Sequence, residues 1–154
     1  MTYRLRRLKD TDMAEAIQLA RAFHAESAYC SMPIAVAKVH DLIQRALTDP
    51  DMWCIVVINL KDDAVVGYMM AICHEHYFSY TRTCTDLGFY ILPQHRKSNV
   101  ARDMLTALEG WAFHVKQVAD ISLGISAGIA NERIETFYRR CGYTRGYSGM
   151  IKTR

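Results

Sequence analysis

The stretch Trp53-Cys-Ile-Val-Val-Ile-Asn-Leu60 constrains the fold more than any other part of the chain. It is short, apolar and rich in β-branched residues, so it reads as a buried strand. Lys61-Asp-Asp63 carries turn chemistry and Ala64 to His74 reads as the next strand, so this pair predicts a hairpin. A polar and aromatic loop, His76 to Arg82, leads to a third strand, Cys84 to Leu92, which Pro93 stops. Upstream, Thr2 to Leu8 forms a strand with Tyr3 and Leu5 on one face. Asp12 with Glu15 three residues on marks a helix start, and Met13, Ile17, Ala20 and Phe23 follow at helical spacing. A second helix carries Val36, Val39, Ile43 and Leu47 and ends at Asp49-Pro50-Asp51.

Downstream of Pro93 lies the strongest helical pattern, opened by Ser98, with Val100, Met104, Leu105, Leu108, Trp111, Ala112 and Val115 on one face. Asp120 to Ser126 reads as a strand, and Asn131 to Cys141 as a short helix closed by Gly142. Tyr147 to Lys152 completes the set as a last strand. The order β-α-α-β-β-β-α-β-α-β is that of a mixed α/β chain with a meander inside it.

The 154 residues suit one domain, 1–154. Net charge is +3, with basic residues scattered in short pairs such as Arg6-Arg7 and Arg139-Arg140. That is too diffuse for a nucleic-acid stripe but leaves room for a local anion pocket. Five cysteines without any C-x-x-C pair fit neither a zinc knuckle nor a disulfide scaffold, so free thiols in a reducing compartment are expected. The charged N-terminus lacks the apolar core of a signal peptide, and no apolar run approaches the roughly 20 residues of a membrane span. A cytoplasmic protein with no membrane partner is the resulting expectation.

Two segments carry the chemistry. Ile91 to Ala101 joins a buried strand to a helix N-terminus, where unsatisfied N–H groups and the helix dipole favour an anion. Arg96 and Lys97 add two cations there, so a phosphate or pyrophosphate is a natural guest. An ordinary loop with Ser98 as N-cap explains the same residues equally well. In the second segment, Tyr138 follows Asn131 by about two helical turns, so both can share one side. A phenol near a buried site can donate a proton to a leaving group, although core packing is the commoner fate of such a residue.

Taken together and in order, these segments resemble the GNAT superfamily of N-acyltransferases. Arg96-Lys-Ser-Asn-Val-Ala101 is similar to its acyl-CoA loop [RQ]-x-x-G-x-[GA], and Phe89-Tyr-Ile-Leu-Pro93 to the strand before it. Leu105 to Ala112 resembles the following helix, and Asn131, Tyr138, Gly142 and Tyr143 match N-x(6)-Y-x(3)-G-[FY]. One position departs: Asn99 stands where the family usually has Gly, and Asn is the residue that best tolerates left-handed backbone angles in its place. The resemblance implies a GNAT fold, with a mostly antiparallel sheet of six to seven strands, splayed between strands 4 and 5, and about four flanking helices. It further implies acetyl-CoA as cofactor and direct transfer to an amine through a ternary complex, with dimers common in the family. Backbone near Phe89, Tyr90 and Ile91 would pair with the cofactor arm, and an N–H there would stabilise an oxyanion. The loop Arg96, Lys97, Ser98, Asn99, Val100 and Ala101 would hold the phosphates, Asn131 the arm, and Tyr138 would protonate the departing thiolate.

The general base is less legible. Many family members use a Glu on the fifth strand, where this chain has Gly124. Candidates are Asp86 on the fourth strand and His74, Glu75 or His76 at the end of the third, with Asp86 preferred. Simple alternation with Gly88 and Tyr90 places Asp86 on the face opposite Phe89 and Ile91. His74 and His76 share a strand face, but two ligands do not make a metal site. His24, Glu26 and Ser27, after the first helix, stand where the family often shapes its acceptor pocket. The acceptor, an amine on a small molecule, peptide or protein, is not legible. A catalytically silent acyl-CoA-binding or protein-interaction module with the same fold is the alternative reading.

Overall fold

The computed structural model describes residues 2–96, 98–126 and 131–146. Its centre is β2, Met52–Asn59, in which every residue is buried. Side chains alternate across a strand, so the two halves of β2 feed two different cores. Met52, Cys54, Val56 and Ile58 face one way, and Trp53, Ile55 and Val57 face the other. The first core is covered by α1, Met13–Glu26, and α2, Val36–Thr48, through Ala16, Leu19, Ile43 and Ala46. The second is covered by α3, Val100–Glu109, through Val100, Met104, Leu105 and Leu108, and by Tyr138 of α4, Asn131–Arg140. A three-layer α/β arrangement follows directly from a strand that is apolar on both faces.

The sheet order is β1-β2-β3-β4-β5, with β1 Tyr3–Arg7, β3 Val65–His76, β4 Ser79–Ile91 and β5 Asp120–Ser122. β1 to β4 are antiparallel neighbours, and β5 joins β4 in parallel over only three pairs, Thr83 with Asp120 to Thr85 with Ser122. Beyond Thr85 the two strands part, so β4 has no β5 ladder along residues 86–91. The expected splay between the fourth and fifth strands is therefore present. The expected last strand, Tyr147 to Lys152, lies outside the described residues.

Two local expectations need correction. The loop expected over His76 to Arg82 is a tight hairpin: β3 runs to His76, and β4 starts at Ser79 after Tyr77-Phe78. Glu75 pairs with Arg82 across it, because ladder bonds recruit polar residues that sequence patterning assigns to a loop. The long helix after Ser98 begins at Val100 and passes at Gly110 into a π-helical turn reaching Val115. That turn lets Trp111 stack on Trp53, with ring centroids 5.9 Å apart. At the far end, Gly142 takes φ +92°, the left-handed conformation that closes a helix, as its position after α4 predicts.

Candidate active site

β3 and β4 lose register between Met70 and Ala71: Met70 pairs with Gly88 and Ala71 with Asp86, leaving Leu87 as an extra residue. This bulge decides where the carboxylate goes. Asp86 pairs with Ala71 and Phe89 with Met69, and both partners belong to the α3/α4 core. Asp86 thus lies on the same face as Phe89 and Ile91, not the opposite one that unbroken alternation predicts. It sits at the fork, where its Oδ1 accepts a hydrogen bond from the Gly124 N–H at 2.7 Å. Burial pushes its carboxyl above the ordinary carboxylate range, against the pull of that N–H.

Tyr138 stands on the same face, 8% exposed. Burial raises its phenol first, and the charge of Asp86 raises it further, so it stays protonated at neutral pH. Asn131, at the N-terminal end of the same helix, is exposed. The fork therefore brings together a carboxyl that takes a proton readily and a phenol that keeps one.

The anion site is broader than its loop. A cleft of about 620 Å³ opens between the β4–α3 loop and α4, lined by Arg96, Ser98, Asn99 and Arg102 and by Arg133, Thr136, Phe137 and Arg140 facing them, with Glu132 as its one acid among the described residues. Among the described residues, Arg102, Arg133 and Arg140 form no ion pair. Four guanidiniums around one cleft suit a guest with several negative charges. Arg133 and Arg140 are seven residues apart, the same spacing as Asn131 and Tyr138, and that was the signal available in the sequence.

Within the loop, Asn99 has φ −75° and ψ −2°, a right-handed conformation. Its carbonyl accepts from the N–H groups of Arg102 and Asp103, which makes it part of the first helical turn. Asn in place of Gly therefore carries no backbone penalty, and the left-handed tolerance expected of it is not used. Ser98 Oγ bonds the His95 carbonyl at 3.0 Å and lies 3.4 Å from the Val100 N–H. Val100 is buried and Ala101 packs beside it, so these two can offer only backbone to a ligand. Lys97 lies outside the described residues.

Arg96 is already engaged. Its Nη2 donates to Glu26 Oε2 and its Nε to the Ile91 carbonyl, both at 2.7 Å. Tyr90 faces the α1/α2 core rather than the cleft, and its hydroxyl donates to the other Glu26 oxygen at 2.6 Å. Burial raises the Glu26 carboxyl, but the bonds from Tyr90 and Arg96 outweigh it and hold the group below its ordinary value. Burial and that carboxylate together push the Tyr90 phenol up to about 12. Sequence reasoning noted Glu26 without this link between α1 and the anion loop.

The remaining candidates diverge. His74 bonds the Glu75 carbonyl and Thr85, while the His76 ring packs on Tyr77 and Phe78 at the hairpin tip. Ser27 Oγ donates to the His24 carbonyl and accepts from the Tyr29 N–H. None of these reaches Asp86 through a hydrogen bond among the described residues.

The GNAT acetyltransferase domain model matches residues 3–144. The chain belongs to the GNAT acetyltransferase family. Acetyl-CoA is the cofactor of that family. Among curated proteins, none matches the chain by sequence. Among solved structures, the chain is similar to aminoglycoside N-acetyltransferase AAC(6')-Iy in complex with CoA, with 14% identity, TM-score 0.79, and 99% and 94% of the two chains covered. It is also similar to glucosamine-6-phosphate N-acetyltransferase from Arabidopsis thaliana, with 12% identity, TM-score 0.76 and 99% of each chain covered. Ribosomal-protein-alanine N-acetyltransferase from Brucella melitensis biovar Abortus 2308 follows at 14% identity and TM-score 0.74, again with 99% of each covered. At these identities the likeness is one of fold. Among the described residues, no helix is long and apolar enough to cross a membrane.

Proposed function

We propose that this GNAT member transfers an acetyl group from acetyl-CoA to an amine within a ternary complex. The observation that carries the reading is Asp86 and Tyr138 on one face of the fork, beside a cleft lined by four arginines. Bound there, the cofactor would supply an acetyl group activated as a thioester. Arg102, Arg133 and Arg140 fit its phosphates with charge-assisted bonds, and Arg96 would add its charge to the cleft while bonded to Glu26. Phe89 and Ile91, on the part of β4 without a β5 ladder, would pair through backbone with the cofactor arm and donate to the thioester oxygen, although the Ile91 carbonyl already accepts from Arg96. Ser98, Asn99, Val100 and Ala101 would contribute loop backbone, and Asn131 would hold the arm.

An amine of pKa near roughly 10 attacks only after losing a proton. Asp86, raised by burial, accepts that proton. As the acetyl group passes from sulfur to nitrogen, Tyr138 would give its proton to the leaving sulfur. Holding both reactants at the fork supplies the entropic part of the acceleration.

The test is calorimetric titration with acetyl-CoA, with desulfo-CoA and ADP as controls, followed by thiol release on adding amines. Micromolar binding and amine-dependent release are expected. No binding up to millimolar concentration overturns the reading, and binding without transfer to any amine supports a silent acyl-CoA-binding module.

A further inference from the structure

On the opposite face of the sheet, under α1 and α2, is a second cavity of about 200 Å³ lined almost wholly by apolar side chains. Ala20, Ile43 and Met70 form its walls, and the small alanine of α1 leaves part of the space open. Its rim reaches the fork. Leu87, the bulged residue next to Asp86, lines it, as do Ser27 and Tyr29 of the α1–α2 loop. That loop is tied to the β5 side by the Ala28 N–H, which donates to the Ser126 carbonyl at 2.7 Å. Of the two tyrosines that line the cavity, Tyr68 is the buried one, and its hydroxyl passes over Gly88, where an added Cβ would stand 2.8 Å from it. Glycine at 88 therefore gives the Tyr68 hydroxyl its place beside the bulge.

Resting on the acetyl-transfer reading, we propose that this cavity receives the acceptor, and that the acceptor is a primary amine carried on one compact aromatic or branched apolar group. Among the described residues, no Asp, Glu, Lys or Arg lines the cavity, and His24 is the one imidazole in its wall. Glu26, the carboxylate on the adjoining turn of α1, is spent on Tyr90 and Arg96. Among the described residues, a polycationic acceptor would bring several ammonium groups to a wall without a carboxylate, and a sugar phosphate would find no Lys or Arg there. Size points the same way, since an apolar cavity of about 150 Å³ holds benzene. A single ring with a short arm fills this one and directs its amine through the rim toward Asp86. There the amine gains the acetyl group and loses one proton to Asp86, while the sulfur leaves with the proton of Tyr138.

The experiment measures thiol release from acetyl-CoA with 2-phenylethylamine, an aminoglycoside and glucosamine 6-phosphate, and amine binding by calorimetry in the presence of desulfo-CoA. Phenylethylamine is expected to exceed the other two in kcat/KM by about tenfold or more. Ala20→Leu fills the cavity with a good helix former and should raise the KM for phenylethylamine about tenfold, leaving the Kd for acetyl-CoA unchanged. Leu87→Lys, at a position 39% exposed and so tolerant of charge, should do the same by placing an ammonium at the rim. Preference for the aminoglycoside or the sugar phosphate overturns the proposal, as does an unchanged KM in both variants. Failure of acetyl-CoA to bind strikes the transfer reading instead. In that case phenylethylamine binding that Ala20→Leu abolishes upholds the cavity assignment, and no binding at millimolar concentration overturns it.

Discussion

The two clefts of this protein lie on opposite faces of one sheet and have opposite chemistry. The α3/α4 side holds about 620 Å³ walled by four arginines, whereas the α1/α2 side holds about 200 Å³ of apolar space without a charged wall. A formal charge of +3 spread along the chain says nothing of this separation. What the contrast teaches is that the fold sorts its charges by face. Cations gather where a helix N-terminus already favours an anion, and the other face is left to shape and hydrophobic contact. Near the fork, Asp86 on one face and Leu87 on the other are consecutive residues.

The comparison breaks most sharply at Tyr138. Tyr138→Phe should lower kcat by about 100-fold or more while leaving acetyl-CoA affinity nearly intact, because it removes a proton donor and little packing. Full turnover at saturating substrate would show that the phenol belongs to the core alone. Next in size, Arg102→Ala combined with Arg133→Ala should weaken acetyl-CoA binding about tenfold or more, through loss of charge-assisted bonds. Binding measured against ionic strength should also become less salt-sensitive in that variant, and equal salt slopes would mean that the phosphates sit elsewhere.

The last variant tests the meeting point, and its change in Tm is the smallest effect expected. Transfer needs Asp86 ionised, so activity should fall as pH drops through a value above the ordinary carboxylate range, and Asp86→Asn should abolish that limb along with most of the rate. The sign for stability is opposite to that of a salt-bridged carboxylate. The folded chain holds this proton more readily than the unfolded chain, so stability is lost as pH rises from the unfolded value through the folded one. Asp86→Asn should then keep or raise Tm at neutral pH, and a lower Tm there would mean that the bond to Gly124 outweighs the burial of charge.

Much of the frame was legible beforehand. β2 reads as buried because every one of its residues but Asn59 is apolar, and it is buried on both faces. Pro93 ends the strand it was expected to end, and Gly142 closes α4 with the left-handed angle that position calls for. Such features are local: periodicity, proline sterics and glycine freedom act within a few residues and need no partner.

The face on which Asp86 lies was not local. Alternation counts residues along one strand, but the bulge at Leu87 exists only in the pairing of β4 with β3, and one unpaired residue reverses every assignment before it. The same holds for Arg96, which the loop pattern offers to a phosphate and the fold ties to Glu26, 70 residues away in sequence. Arg102 comes from α3 and Arg133 and Arg140 from α4, and they meet only because α3 and α4 cover the same face of the sheet. By itself the sequence determined the order of most strands and helices, since that follows from neighbouring residues, but not every end: the expected strand from Asp120 to Ser126 stops at Ser122. The tertiary structure alone decided which charges share a cleft and which way the carboxylate points, since those depend on strands and helices far apart in the chain.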